Sequence, residues 1–579
     1  MLKRKGKIML GMSVVILATL TAFSTKEYKR KPQKDRLSGP VFSDFVYKGE
    51  DAVYKENPLK PGQFYSPILQ GCYPDPSITR KGDDYYLVNS SFSMFPGVPI
   101  FHSVDLVNWK QLGHVLDRES QLKVGTSGIS EGIYAPDIVY NRHNDTFYMI
   151  TTQIASGIGN MVVKTKDPKA GNWSDPIKLD FDGIDPTLFF DDDGKAYVVH
   201  NDAPDKGKLR YEGHRVIKIW EYDTEKDQVI KGSERILVDG GVHPADNPIW
   251  IEGPHIYKKA GKYYLMCAEG GTGSDHSEVI FSSEQIAGPY TPAPKNPILS
   301  QRHLDKTRLN PVEWAGHADL VEGPGGSWYG IFLGVRPNEV NRVNTGRETF
   351  ILPVDWSGEW PIFQGGMEPL KPSVPMPAGV ENKGNAPGYF PNGNFTFADP
   401  LTAAKLDHRW VALRGAREKF VQQSDKGTIL KPYAIDISEQ KPLSALFYRQ
   451  QHKNFESTVS LNYVPSAPSD LAGITCLQSE KYHYVLGLTK LGKENYIVLA
   501  RNENGSTKIL AKEKINQKGA VQLKVKAIGD AYQFAYALAP GQFKHIGNTV
   551  SGDILSTDVA GGFTGALIGL YSTSANKIR

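Results

Sequence analysis

The chain has 579 residues, too many for one ordinary domain, with 40% hydrophobic and 11% aromatic residues, 57 glycines and 38 prolines. That balance favours a turn-rich β protein over a helical one. The formal charge is +4, and Lys3, Arg4, Lys5 and Lys7 alone supply that excess; a near-neutral body argues against nucleic acid as the partner and suits a neutral substrate.

At the N-terminus, KRKGK (3–7) precedes the apolar run IMLGMSVVILATLTAF (8–23). The run is short for a membrane span and has the shape of a secretory leader. Residues 1–24 are therefore expected to direct export to the periplasm or the exterior. Retention as a membrane anchor is the lesser reading, suggested by the basic KEYKRKPQK (26–34) and the lack of a clear small-x-small cleavage site. Residues 25–60 read as a linker or N-terminal segment. Cys72, Cys267 and Cys476 are too few for a disulfide framework and read as buried thiols.

Five later segments share one pattern, a turn or polar residue, one or two aromatics and a small apolar run: DDYYLV (83–88), DTFYMI (145–150), GKAYVV (194–199), GKYYLM (261–266) and GSWYGI (326–331). Their tyrosines, Tyr86, Tyr148, Tyr197, Tyr264 and Tyr329, recur at roughly 50–65 residues, room for about four strands per repeat, the size of a propeller blade. About a dozen residues upstream of these markers stand Asp75, Ala135, Asp185, Glu252 and His317. If each upstream segment is the innermost strand of a blade, these slots face a common axis. A lone Asp before a strand is usually a turn cap. Three carboxylates and a histidine in equivalent slots would crowd like charges, which is unfavourable unless the charges have a use. Asp137, near the second slot, and the DDD of 191–193 read as structural, the latter as a solvated hairpin turn.

Residues 369–391 hold six prolines and read as a rigid connection between domains. Beyond them, alternating segments at 455–464, 521–527 and 531–538, and the glycine-opened GGFTGALIGLY (561–571), read as strands of one β-sandwich.

Two carboxyl groups facing each other across a pocket are the minimum needed to hydrolyse a glycosidic bond, one protonating the leaving oxygen and the other activating water or attacking the sugar. Slots on separate blades leave room for a water, which favours inversion. With YPDPS (73–77), GIDPTLF (183–189) and EGPHIY (252–257) in order, the chain resembles glycoside hydrolase family 43, the five-bladed β-propeller xylosidases and arabinofuranosidases. The resemblance covers about residues 62–372 and 390–571. It implies an all-β fold: a five-bladed propeller over 61–372, a Pro-rich linker over 373–391, and a concanavalin-like β-sandwich over 392–579. By resemblance, Asp75 is the general base, Glu252 the general acid, and Asp185 the residue that modulates and orients the acid. Arg347 in TGRET would bind sugar hydroxyls. Phe92 and Tyr134 would wall the terminal-sugar site, Tyr134 standing where relatives often have Trp, and Phe563 would reach in from the sandwich. His317 would sit near the axis beside substrate or a structural calcium ion; no other cofactor is implied.

The expected activity is removal of terminal β-D-xylose from xylo-oligosaccharides with inversion. The rival within the class is α-L-arabinofuranosidase, and rivals outside it are a non-catalytic sugar-binding propeller and an envelope-anchored adhesion protein. Relatives of this form often assemble as dimers or tetramers, which makes a homo-oligomer possible, while the sequence leaves the oligomeric state open. Relatives also continue past the equivalent of residue 571 into a closing strand, whereas this sequence ends at YSTSANKIR, so an unpaired sheet edge is expected.

Overall fold

The computed structural model describes residues 38–155, 157–517 and 519–578. The expected leader, 1–24, and the start of the expected linker lie outside the described residues. Each of the five repeats builds one antiparallel sheet of four or five strands, over 77–116, 133–178, 184–239, 252–300 and 313–363. Together they form a five-bladed β-propeller. Every marker tyrosine falls on the second strand of its blade and is buried.

The recurring motifs are bulges. Each inner strand places one residue in the left-handed region at the same point: Asp75 (φ 50°), Ala135 (32°), Asp185 (53°), Gly253 (55°) and His317 (51°). In four blades the ladder to the second strand skips register there. Pro76, Pro136, Pro186 and Pro254 follow the first four of these residues; a residue with no N–H is tolerated where the ladder is already broken. One expectation is corrected. Glu252 does not occupy the slot of Asp75 and Asp185 but stands one residue before it, and the slot itself holds Gly253. A Cβ there would lie 2.7 Å from His317 Nε2, so the fourth blade takes glycine and moves its carboxylate back by one.

Two residues beyond the left-handed position, the five strands present Ser77, Asp137, Thr187, His255 and Asp319. The Ser77 hydroxyl lies 2.8 Å from Asp137 and 3.0 Å from Asp319. Asp319 also accepts from the Ile78 N–H (2.8 Å) and the Tyr257 hydroxyl (2.7 Å), and Asp137 from the Leu188 N–H (3.0 Å). His255 Nδ1 stands 3.8 and 3.7 Å from the two carboxylates. One buried network thus ties all five inner strands. Burial pushes the Asp137 carboxyl up to about 6, opposed by His255. The last blade meets the first through further bonds, the Asn89 side-chain amide donating to the Thr349 hydroxyl at 2.9 Å, and the Ile68 N–H ahead of the first blade donates to the Thr349 carbonyl at 2.9 Å.

The second domain stacks a nine-stranded sheet on a six-stranded one. Its first strand is Val41–Gly49, inside the stretch expected to be linker; it pairs with Thr396–Asp399, Gly427–Leu430 and Phe455–Asn462. The sandwich therefore recruits chain from both sides of the propeller. Just past that strand, buried Asp51 accepts from Arg336 of the propeller at 2.9 Å, and Arg336 also holds Glu348 at 2.6 Å. Phe455–Asn462 alternates buried and half-buried residues, the period of a sheet with one face in a core. The expected strand at 561–571 begins only at Leu567. Leu567–Thr573 pairs on both sides, with Ala445–Arg449 and Leu471–Ser479, so the final strand is interior to its sheet rather than an unpaired edge. Within the Pro-rich connection, Ser373–Pro375 pairs with Gln63–Tyr65, and Phe390 is buried against Tyr73 and Phe101. Asp191, expected in a solvated turn, is buried and bonded to Lys258 and to the Tyr263 hydroxyl, each at 2.6 Å.

Asp319→Ala strands two buried donors at once, the Ile78 N–H and the Tyr257 hydroxyl, and leaves the Ser77 hydroxyl only Asp137. The expected loss is about 3–5 kcal/mol, read as a lower urea midpoint. A change below about 0.5 kcal/mol would mean the axial network does not hold the blades.

Candidate active site

A cavity of about 330 Å³ adjoins the axial network. Asp75, Asp185, Glu252, Arg347, His317, Phe92, Tyr134 and Phe563 all line it, so every site residue expected from the sequence converges on one pocket. The bulges explain part of the convergence: the left-handed turns at Asp75, Asp185 and His317 re-aim those side chains toward the axis.

The three carboxylates are buried and unequal in their surroundings. Arg347 Nη1 donates to Asp75 Oδ1 at 2.8 Å. Burial alone would raise the Asp75 carboxyl, but Arg347 chiefly outweighs it and holds the group below its usual value. Asp185 accepts only a long bond, 3.3 Å, from the Gly253 N–H; burial and the Asp75 charge push it up to about 7. Glu252 is driven well above the ordinary range by burial, then by Asp185 and Asp75, with Arg347 and Arg215 pulling the other way. One carboxylate is thus set up to be ionised and another to hold a proton in the same pocket.

Phe92 and Phe563 stack with centroids 6.4 Å apart, and Tyr134 stands edge-on to both at 5.7 and 5.8 Å. The Arg347 guanidinium carbon lies 5.9 Å from the Phe92 ring and 5.5 Å from that of Phe563, so the cation that grips Asp75 is itself caged by aromatic faces. Phe92 is almost fully buried and Phe563 only half-buried. Phe563 comes from the sandwich, and its loop is fastened to the propeller. Ser130 Oγ accepts the Phe563 N–H at 2.9 Å, while the Tyr134 hydroxyl donates to the Ser130 carbonyl at 2.8 Å. The Ala566 N–H donates to the Asn344 carbonyl at 2.8 Å. A Cβ on Gly565 would lie 2.4 Å from the Thr345 carbonyl oxygen and one on Gly562 2.3 Å from Ser130 Oγ, which accounts for those two glycines of GGFTG: the segment leading to Arg347 and the loop carrying Phe563 touch backbone to backbone at Gly565.

His317 Nδ1 is 3.7 Å from the Asp75 oxygen that Arg347 already binds, and burial lowers the imidazole to about 4. Calcium takes six to eight oxygen ligands. One nitrogen beside a carboxylate already engaged by arginine does not fit a directly ligated calcium ion, so a calcium ion beside His317 would have to be held largely through water. Among the described residues, the His and carboxylate atoms that do cluster at ligand spacing belong to Asp137, His255 and Asp319, whose carboxylate oxygens are already bonded within the axial network.

The cavity also takes Trp250, Gly271 and Thr272, which the sequence reading missed. Trp250 stands two residues before Glu252 in NPIWIEG, and an aromatic so close to a motif was an available signal. Gly271 and Thr272 carry no such signal, lying on a loop whose position only the fold determines.

Comparison with known proteins agrees with this fold. The profile described as "Glycosyl hydrolases family 43" matches residues 64–361, and that of the "Beta xylosidase C-terminal Concanavalin A-like domain" matches 399–578. A xylosidase/arabinosidase of Butyrivibrio fibrisolvens is 37% identical over 88% of this chain and 96% of its own. A non-reducing end alpha-L-arabinofuranosidase of Bacteroides ovatus is 33% identical over 88% of this chain and 91% of its own. The crystal structure of a GH43_12 protein retrieved from capybara gut metagenome superposes with a TM-score of 0.89 at 55% identity, covering 93% of this chain and all of that one.

The raised Asp185 pKa has a sign that can be checked. Between the unfolded value, 3.8, and about 7, the folded chain retains a proton that the unfolded chain releases, so this group subtracts stability as pH rises through that window. Asp185→Asn removes the penalty. Its unfolding free energy relative to wild type should grow by roughly 2–4 kcal/mol from pH 4 to pH 8, measured by urea unfolding; a pH-independent difference would contradict the assignment.

Proposed function

The chain belongs to glycosyl hydrolase family 43, and we propose that within it the protein is an inverting exo-acting β-xylosidase that removes terminal β-D-xylose from xylo-oligosaccharides. The observation that carries this is the opposed environment of two carboxyl groups in one pocket, Asp75 paired with Arg347 and Glu252 crowded by carboxylates. Glu252 gives its proton to the glycosidic oxygen as the bond to the anomeric carbon breaks. Asp75, ionised, takes a proton from the water that attacks the opposite face. The Asp75 charge, joined by that of Asp185 as it ionises, keeps Glu252 protonated by repulsion, and Asp185 helps orient it. Arg347 holds Asp75 in its anionic form and offers its remaining N–H groups to sugar hydroxyls. Phe92, Tyr134 and Phe563 give the terminal sugar apolar walls, and closure of the pocket by the sandwich loop favours one residue taken from a chain end.

A sugar-binding protein would have no use for three buried carboxylates in one pocket, one held anionic and two driven up, which tells against a non-catalytic propeller. The second reading, α-L-arabinofuranosidase or an enzyme with both activities, is favoured by the names of the Butyrivibrio and Bacteroides relatives and by the near-superposable hydroxyls of the two sugars. Export is part of the proposal and rests on the basic and apolar segments of residues 3–23.

The test is hydrolysis of 4-nitrophenyl β-D-xylopyranoside, 4-nitrophenyl α-L-arabinofuranoside and xylobiose, with the first-formed anomer followed by NMR. Wild type should cleave the xyloside fastest and release α-xylose. Glu252→Ala should lose roughly 100-fold or more on xylobiose and less on the aryl glycosides, whose leaving groups need less acid help. A folded wild type that cleaves none of the three would bring the binding-protein reading forward.

A further inference from the structure

Hydrolysis needs a place for the leaving sugar as well as for the one removed, and nothing above supplies it. The leaving oxygen must lie against Glu252, which protonates it, so its sugar must rest on surfaces beside Glu252. One such surface is Trp250. Its ring lines the cavity, its backbone takes φ 51°, and its N–H donates to the Gly213 carbonyl at 2.9 Å. Two residues beyond Gly213, Arg215 lays its guanidinium on the indole, 4.0 Å from the ring centroid.

Arg215 is unusual among the buried cations of this protein. It is half-buried, its Nε is buried without a hydrogen-bond partner, and among the described residues no carboxylate lies within ion-pair distance of it, although its charge acts on Asp202, Glu252 and Asp185. An unpartnered buried N–H is unfavourable, so stability alone does not account for this arginine. A guanidinium over an aromatic ring beside a pocket has the chemistry to recognise a pyranose. The ring offers an apolar face to the sugar's C–H groups and the guanidinium offers paired donors to adjacent hydroxyls.

We propose that Trp250 and Arg215 form the binding site for the leaving sugar, a pyranose residue of the oligosaccharide chain, with Arg215 donating to its hydroxyls. The inference rests on the reading of Glu252 as the acid. It makes Arg215 and Trp250 determinants of how well the enzyme uses a natural chain compared with an artificial glycoside.

The experiment compares kcat/KM for xylobiose with kcat/KM for β-D-xylopyranosyl fluoride, whose leaving group occupies no sugar site. It uses wild type, Arg215→Ala, Arg215→Lys and Trp250→Ala, each first shown to keep the wild-type unfolding midpoint. The ratio of xylobiose to fluoride should fall at least tenfold in Arg215→Ala and Trp250→Ala, mainly through a higher KM for xylobiose. Arg215→Lys, which restores the charge and a donor, should recover part of it. Equal losses on both substrates, or no loss on either, would overturn the subsite while leaving the functional reading intact. A wild type inactive on both would overturn the functional reading, and this subsite with it.

Discussion

The ion pair between Arg347 and Asp75 decides how the pocket works. Three buried carboxylates crowded into one pocket are unlike groups in bulk water, and keeping all of them ionised is strongly unfavourable. A single guanidinium 2.8 Å from one of them breaks the symmetry: that carboxylate keeps its charge, and the charge in turn helps keep protons on its neighbours. Base and acid are therefore not independent assignments. They are two consequences of where one cation sits, and the aromatic cage of Phe92 and Phe563 is what keeps it there.

The fold exists around that arrangement in two layers. In the upper layer, left-handed residues at a repeated bulge aim Asp75, Asp185 and His317 toward the axis. In the lower layer, two residues further along each strand, Ser77, Asp137, His255 and Asp319 lock the blades together. Strained backbone above is held in place by a saturated polar network below. The sandwich is a third support. Its glycine loop lies against residues 344–346 and carries Phe563 into the pocket, while its first strand leads into Asp51, the partner of Arg336. The pocket is thus finished by parts of the chain that lie far outside the propeller repeats.

Much of this was legible in the sequence because repeats expose themselves. The aromatic markers gave the number of blades, and counting upstream from them led to Asp75, Asp185 and His317. The count was one residue off at Glu252, since a bulge shifts register by a step that spacing alone does not reveal; the clue was Gly253, the glycine that the crowded slot requires. Asp137 was separable from the catalytic candidates by its offset, but the network it joins was not visible, because Ser77, His255 and Asp319 become equivalent only once the strands are aligned in space. Val41–Gly49 was hidden for a topological reason: a strand that pairs with segments some four hundred residues away carries no local sign of its partners. Arg215 was hidden likewise, brought to Trp250 by a loop rather than by a motif.

The most direct test of the central claim is to see where the protons are. Carboxyl-carbon NMR of protein labelled at Asp and Glu, titrated with pH and assigned with Asp75→Asn and Glu252→Gln, reports each group separately. The prediction is an ionised Asp75 and a protonated Glu252 at neutral pH, with the Asp75 titration moving upward when Arg347 is replaced by glutamine. A protonated Asp75 beside an ionised Glu252, or an Asp75 titration indifferent to Arg347, would contradict the account.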